Sequence, residues 1–326
     1  MNQELEQFFT TFDQLHSRLK WNVPNKQVLM AVASSYAVSD KPFNLEQFIR
    51  IADLIKKRAT LFSTMRSYSR FTAAAMLDIH FTEPEEKIEN MFNLYDQLIR
   101  TSFGRGPYTY IAALTVLINS DDDQQEQTII KKAQDMYEHM KSEHRFLTSK
   151  EDYPMATLLA TVSEHEKSIQ KSGYFYSNLR KNGFTFGNNL QFLSHILAMS
   201  KDENEDVLLD RTIQVYDRFH QNGFSTKLAY YAVMGLLALL PEDQYDMDDI
   251  KDMYTTLKNR KHFRWQNDFN VMLAVHFHVK SQLTHGDIVN TSLYTTMETI
   301  VQAQQAAMTA AVVAASAASA NSGGGN

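Results

Sequence analysis

Seven aromatic residues recur along this chain at a nearly constant spacing, and that recurrence restricts its fold more than any other feature. Trp21, Phe62, Phe103, Phe146, Phe184, Phe224 and Phe263 are separated by 41, 41, 43, 38, 40 and 39 residues. A period of about 40 lies within the range of stacked supersecondary units. Eight or nine residues before each aromatic stands another large apolar group: Phe12, Tyr95, Tyr137, Tyr176, Tyr216 or Tyr254. Three residues further on comes Leu15, Leu98, Met140, Leu179, Phe219 or Leu257, and that spacing puts both groups on one helical face. The second unit departs, with Leu54 and Ile55 where the aromatic is expected.

After each turn aromatic the chain becomes apolar and rich in small residues, as in Phe71-Thr-Ala-Ala-Ala-Met-Leu77, Tyr110-Ile-Ala-Ala-Leu114 and Met155-Ala-Thr-Leu-Leu159. An amphipathic first helix followed by a nearly uniformly apolar second helix describes an αα-hairpin with a buried second member. One hairpin cannot cover its own apolar face, so neighbours must stack. The expected fold is therefore all-α, with about seven αα-hairpins of roughly 40 residues in a solenoid or α/α-toroid-like array and a terminal capping helix. This gives one helical-hairpin domain over 1–305 and an Ala/Ser/Gly-rich, partly disordered tail over 306–326.

Local signals divide the chain accordingly. Pro24 is expected to open the second helix and Lys41-Pro42 to follow its end; Asn44 with Gln47 reads as a capping box. Thr82-Glu-Pro-Glu85 predicts a helix start with Thr82 as cap. Asp121, Asp122 and Asp123 favour a helix N-terminus, and Asn182-Gly183 and Asn222-Gly223 read as helix stops in which glycine adopts the left-handed conformation. A last helix is expected from Ile288 through Val301.

Composition removes several function classes. The chain contains no cysteine, which excludes disulfides, thiolate metal sites and a cysteine nucleophile. Net charge is −6 without a polybasic block, against nucleic acid as a partner. The polar, acidic start Met1-Asn-Gln-Glu-Leu-Glu-Gln7 is unlike a signal peptide, and no run of about 20 apolar residues suggests a membrane span. A cytoplasmic protein without a membrane partner is expected.

No phosphate loop, nucleophile elbow, His-Glu-x-x-His or calcium loop occurs, so no catalytic residue, metal or cofactor is assigned. His276 and His278 are two residues apart, a spacing that splays side chains on a helix and prevents shared chelation. Glu164-His165-Glu166 falls at an expected helix start, where acids belong in any case. The regularly spaced tyrosines are read as packing between hairpins.

One pattern points outward. Just after the turn aromatic, most units carry a cation: Arg66, Arg105, Lys150, Lys227 and Arg264, with Lys26 in the first unit and Arg70 one turn after Arg66. Equivalent positions of stacked repeats fall on one edge, and cations at a helix start oppose the macrodipole. Arg66, Arg70, Arg105, Lys150, Lys227 and Arg264 are therefore the candidate ligand-binding residues. The opposing expectation pairs them with neighbouring acids such as Glu151 or Asp268.

In its repeated Tyr-x-x-Leu and Phe spacing, together with the Ala/Ser/Gly tail, the chain resembles an uncharacterised bacterial family known only as a domain of unknown function. That resemblance implies a bacterial, cytoplasmic protein and carries over no site residues. The sequence itself leaves two readings: a non-enzymatic binding or scaffold protein taking an acidic peptide or anionic ligand, or an α/α-toroid enzyme with a polar mouth.

Overall fold

In the computed structural model the described residues are 3–285, apart from positions 24, 40, 144, 163, 164, 201–203, 242 and 243. Among them there are fourteen α-helices and no strand. They fall into two compact units, one built on Glu6–Thr161 and one on the described residues of Val162–Val301. Pro24, the expected last helix and the 306–326 tail lie outside the described residues.

The first unit holds α1 (Gln3–Leu19), α2 (Lys26–Ala37), α3 (Leu45–Arg58), α4 (Ser69–His80), α5 (Lys87–Ile99), α6 (Pro107–Ile118), α7 (Asp123–Glu143) and α8 (Tyr153–Val162). Helix α3 buries Phe48, Ile51, Ala52 and Ile55, a single face at the i, i+3, i+4, i+7 spacing. Helix α6, by contrast, is buried at every position from Tyr108 to Leu117. The reason is its place: α6 packs on both α5 and α4, and α4 in turn on α2 and α3. Alanines Ala73, Ala74 and Ala75 of α4 are buried in these contacts.

A buried carboxylate ties α2, α3 and α4 together at one end. Asp78 Oδ2 accepts from the Tyr36 hydroxyl at 2.6 Å, and Oδ1 accepts from Gln47 Nε2 at 2.7 Å and pairs with Lys41 Nζ at 3.0 Å. Lys41 also donates to the Asp78 and Phe81 carbonyls. A buried charge is tolerated when its lone pairs are filled in this way. Burial, with Asp78 beside it, pushes the Tyr36 hydroxyl well above its ordinary pKa.

The second unit holds α9 (His165–Lys181), α10 (Asn188–Ala198), α11 (Glu205–Gln221), α12 (Tyr231–Leu239), α13 (Met247–Asn259) and α14 (Asn267–His285). Helix α10 packs on α9 and α12, and α12 on α11 and α14. The α10–α12 approach needs Gly235, where a Cβ would stand 2.7 Å from Leu193 Cδ1. His276 and His278 are both buried in α14. His278 Nε2 accepts the Asp246 amide (3.2 Å), so its proton sits on Nδ1 and is donated to Asp249 Oδ2 (2.6 Å). The histidine thus fastens the start of α13 to α14.

Most local signals hold. Asn44 caps α3 by accepting from the Gln47 amide, although the Gln47 side chain bonds Asp78 rather than closing the box, and α7 begins at Asp123. Thr82 does not start a helix: α5 begins at Lys87 with no side-chain cap. The intervening residues form tight turns, with Lys87 N–H bonded to Pro84 O and Ile88 N–H to Glu85 O, and Glu85 is drawn into an ion pair with Arg50 at 2.6 Å.

Candidate functional site

In two connections from a first to a second helix the recurring aromatic closes the helix stop. In Asn222-Gly223-Phe224 the Phe224 amide bonds to the Phe219 carbonyl (3.0 Å) and the Gly223 amide to the His220 carbonyl (3.1 Å). Asn182-Gly183-Phe184 repeats both bonds, to Leu179 (3.1 Å) and Arg180 (3.3 Å). Gly183 and Gly223 have φ of 89° and 80°. This is the Schellman stop, whose signature includes an apolar contact between the residue after glycine and the last turn of the helix. The Phe219 and Phe224 rings supply it at 5.6 Å.

Once turned inward, the aromatic meets the following pair of helices. Phe103 of the α5–α6 turn stacks on Tyr153 of α8 at 4.1 Å and meets Tyr137 of α7 edge-on. In the second unit Phe184 contacts Tyr216 and Tyr231, and Phe224 meets Tyr254. Phe103, Phe184, Phe224 and Phe263 are buried. Tyr95, Tyr137 and Tyr176 are buried too, whereas Tyr216 and Tyr254 are half-buried.

Three other turn aromatics face solvent. Trp21 is 86%, Phe62 100% and Phe146 99% exposed. None of their turns has the Gly-Phe stop. The α3–α4 connection is longer and contains the 3-10 turn Thr64–Arg66, so the chain delivers Met65 inward instead of Phe62. In the α1–α2 connection Val23 takes the buried place.

Seven residues after the turn aromatic stands a tyrosine in three units, a regularity visible in the sequence but overlooked by an argument from the turn aromatics alone. The hydroxyl of Tyr110 bonds the Ser63 hydroxyl (3.0 Å); that of Tyr153 accepts the Gly104 amide (2.8 Å); that of Tyr231 accepts the Thr185 amide (2.9 Å). Each partner is the residue just after the preceding turn aromatic. In the first unit these bonds place the α3–α4, α5–α6 and α7–α8 turns side by side on one edge.

The candidate cations occupy that edge unequally. Arg66 is exposed, with one hydrogen bond to the Ala59 carbonyl at 3.3 Å. Arg70 turns back on its own chain: it donates to the Ser67 and Arg66 carbonyls and lies 4.2 Å over the Phe71 ring, and burial lowers its pKa. Arg105 is exposed beside the Tyr95–Tyr110 stack, whose rings are 3.7 Å apart. Lys150 is exposed, and its stem crosses Gly104, where a Cβ would come within 2.8 Å of Lys150 Cε. Glycine there lets Lys150 reach the turn that carries Arg105. Among the described residues Arg66, Arg105 and Lys150 have no carboxylate in ion-pair range.

In the second unit Lys227 is bound to Asp268 at 2.6 Å, an acid that also accepts from Tyr230 at 2.6 Å. Its charge is locally compensated, as the opposing expectation held for this position. Arg264 is exposed and has no carboxylate partner among the described residues.

Exposed large apolar side chains mark the same connections. Trp21, Leu61, Phe62, Phe146, Phe186, Leu228 and Trp265 all lie between a first and a second helix; Val207, on α11, is the other one among the described residues. Charge follows the same division. The α3–α4 and α5–α6 turns contain arginine and no acid, whereas the α4–α5 connection has Glu83, Glu85 and Glu86 and the α6–α7 connection Asp121 and Asp122, with no cation. Twelve-residue α6 separates these ends by about 18 Å. That exceeds the screening length of about 8 Å at physiological salt, so those acids do not neutralise the basic edge, whose own acids are the exposed Glu151 and the buried Asp152 of the α7–α8 turn. Near the acidic end lies a polar cleft of about 430 Å³ lined by Asn119, Asp122, Gln125, Thr128 and Lys132, away from the candidate cations. Among the described residues no group of three or more His, Asp or Glu is placed to share a metal ion, and no helix is long and apolar enough to cross a membrane.

Residues 11–306 match the model of a protein family of unknown function, DUF4003. The chain belongs to the DUF4003 family. It is similar to the uncharacterized protein YeaA of Bacillus subtilis (strain 168), at 30% identity over 310 residues that cover 95% of this chain and 94% of that protein. No solved structure matches it. The DUF4003 assignment thus agrees with the resemblance carried by the Tyr and Phe spacing and adds no chemistry to the site.

Proposed function

We propose that this DUF4003 protein is a non-enzymatic binding or scaffold protein in which αα-hairpins stack within each unit and the first-to-second turns of the first unit form a surface for an anionic partner. The tyrosine bonds from one hairpin to the turn before it, at 46- to 49-residue separation, support the stacking. One observation carries the functional part: Arg66, Arg105 and Lys150 lie exposed on adjoining turns with no carboxylate partner among the described residues, in a protein whose net charge is −6. Helix starts behind them add amide donors. Arg70 braces its turn and Lys227 is compensated by Asp268, so neither is assigned to the partner. The enzymatic alternative has no comparable observation behind it.

Binding of polyglutamate to the full chain tests this reading. Affinity should fall with salt, and the double charge reversal Arg66→Glu with Arg105→Glu should weaken it about tenfold or more, from roughly 1 kcal/mol per exposed pair. Affinity unaffected by both changes, or no binding, contradicts it.

A further inference from the structure

The anionic partner can be narrowed by the aromatics that share its edge. We infer that the turn edge of the first unit docks on the surface of an anionic lipid bilayer, with Phe62 and Phe146 entering the interface and Arg66, Arg105 and Lys150 facing lipid phosphates. This inference rests on the proposed anion-binding role of the edge.

Three features favour a bilayer over a folded or peptide partner. First, Phe62 and Phe146 are 100% and 99% exposed. A side chain that lines a peptide groove is shielded by its neighbours; these two project with no wall beside them. A soft planar interface accepts projecting rings, and aromatic residues concentrate at that depth. Second, cations stand between and beside them. Arg105 lies in the turn between those of Phe62 and Phe146, Arg66 follows Phe62, and Lys150 follows Phe146. Basic groups near an anionic surface are drawn to it within a screening length. Third, the acids Glu83, Glu85, Glu86, Asp121 and Asp122 are held at the other end of the helices, about 18 Å away, where repulsion from the same surface favours the edge-down orientation. Docking of this kind needs no membrane-crossing helix.

The test is co-sedimentation of the full chain with phosphatidylcholine vesicles, with and without phosphatidylglycerol. Binding is expected only with phosphatidylglycerol and should weaken with salt. The exposed-site variant Phe62→Ser with Phe146→Ser, its helicity checked by circular dichroism, should reduce partitioning about tenfold while leaving polyglutamate binding unchanged. Arg66→Glu with Arg105→Glu should reduce both. Absence of binding to phosphatidylglycerol vesicles, or equal binding by the serine variant, overturns the bilayer assignment. If polyglutamate binding that depends on Arg66 and Arg105 persists in that case, the anion-binding edge stands and only its partner was wrong; if it is also absent, both fail.

Discussion

The Gly104 amide, in the turn between α5 and α6, donates a hydrogen bond to the Tyr153 hydroxyl of α8 at 2.8 Å. The bond joins one hairpin turn to the helix that follows the next, and it holds the turn that carries Arg105 next to the base of Lys150. Tyr231 receives the Thr185 amide in the same manner.

Removing only the hydroxyl isolates that contribution. Tyr153→Phe keeps the stack on Phe103 and leaves the Gly104 amide without its partner, so a loss of about 1 kcal/mol is expected, and a similar loss for Tyr231→Phe. Urea denaturation read by circular dichroism gives both values. Wild-type stability in the two variants would mean that water replaces the hydroxyl without cost.

The recurring aromatics should separate into two classes on truncation. Phe224→Ala removes a ring that packs on Phe219 and Tyr254 and should cost about 3–5 kcal/mol. Phe62→Ala removes one that touches nothing and should stay within about 0.5 kcal/mol of wild type. Equal losses would show that the turns do not differ as described.

That contrast also marks what was legible in the sequence. The helix–turn–helix alternation and the Asn-Gly-Phe stops could be read because glycine is a local requirement of the left-handed residue. Whether the turn aromatic points inward could not, since it depends on the path of the whole connection: in the α3–α4 turn the 3-10 segment brings Met65 inward in place of Phe62. The cations were found by position, but their state was set by tertiary neighbours. Asp268 reaches Lys227 across 41 residues, while no acid among the described residues reaches Lys150 even though Glu151 is adjacent in sequence and holds the Tyr108 hydroxyl at 3.2 Å. Thr82 misled because a cap motif competes with an ion pair available to Glu85 only in the fold.

Backbone strain should appear at the helix stops. Gly183 has φ 89°, and nothing lies within 4 Å of the point where a Cβ would stand, so Gly183→Ala tests conformation alone. A loss of about 1–2 kcal/mol is expected from the left-handed cost to an L-residue. A neutral substitution, read as an unchanged thermal midpoint, would place the turn in another conformation.

Two buried groups in the first unit make opposing contributions to the pH profile. Burial raises the Asp152 carboxyl from 3.8 to about 6 and lowers the half-buried His80 from 6.5 to about 4. Between about pH 4 and 6 folded Asp152 keeps a proton that the unfolded chain has lost, so its contribution falls as pH rises. Folded His80 stays neutral where the unfolded chain is protonated, so its contribution falls as pH drops from 6.5. Asp152→Asn should therefore gain stability over wild type as pH rises from 4 to 6, reaching on the order of 2–3 kcal/mol. The difference between the two unfolding curves cancels all other titrations; a pH-independent difference contradicts the assignment.

The most direct measurement of the turn edge places one fluorophore on it: Phe62→Trp in a chain whose Trp21 and Trp265 are replaced by Phe. Both native tryptophans lie in other connections, Trp265 in the second unit, whereas Phe62 is 100% exposed on the edge itself. Emission of the free protein should be that of water-exposed indole and open to acrylamide quenching. Adding phosphatidylglycerol vesicles should shift it to the blue and protect it from the quencher, and the shift should be lost in the Arg66→Glu, Arg105→Glu variant. Blue, protected emission in the free protein, or bound protein whose emission is unchanged, would contradict an exposed turn edge as the binding surface.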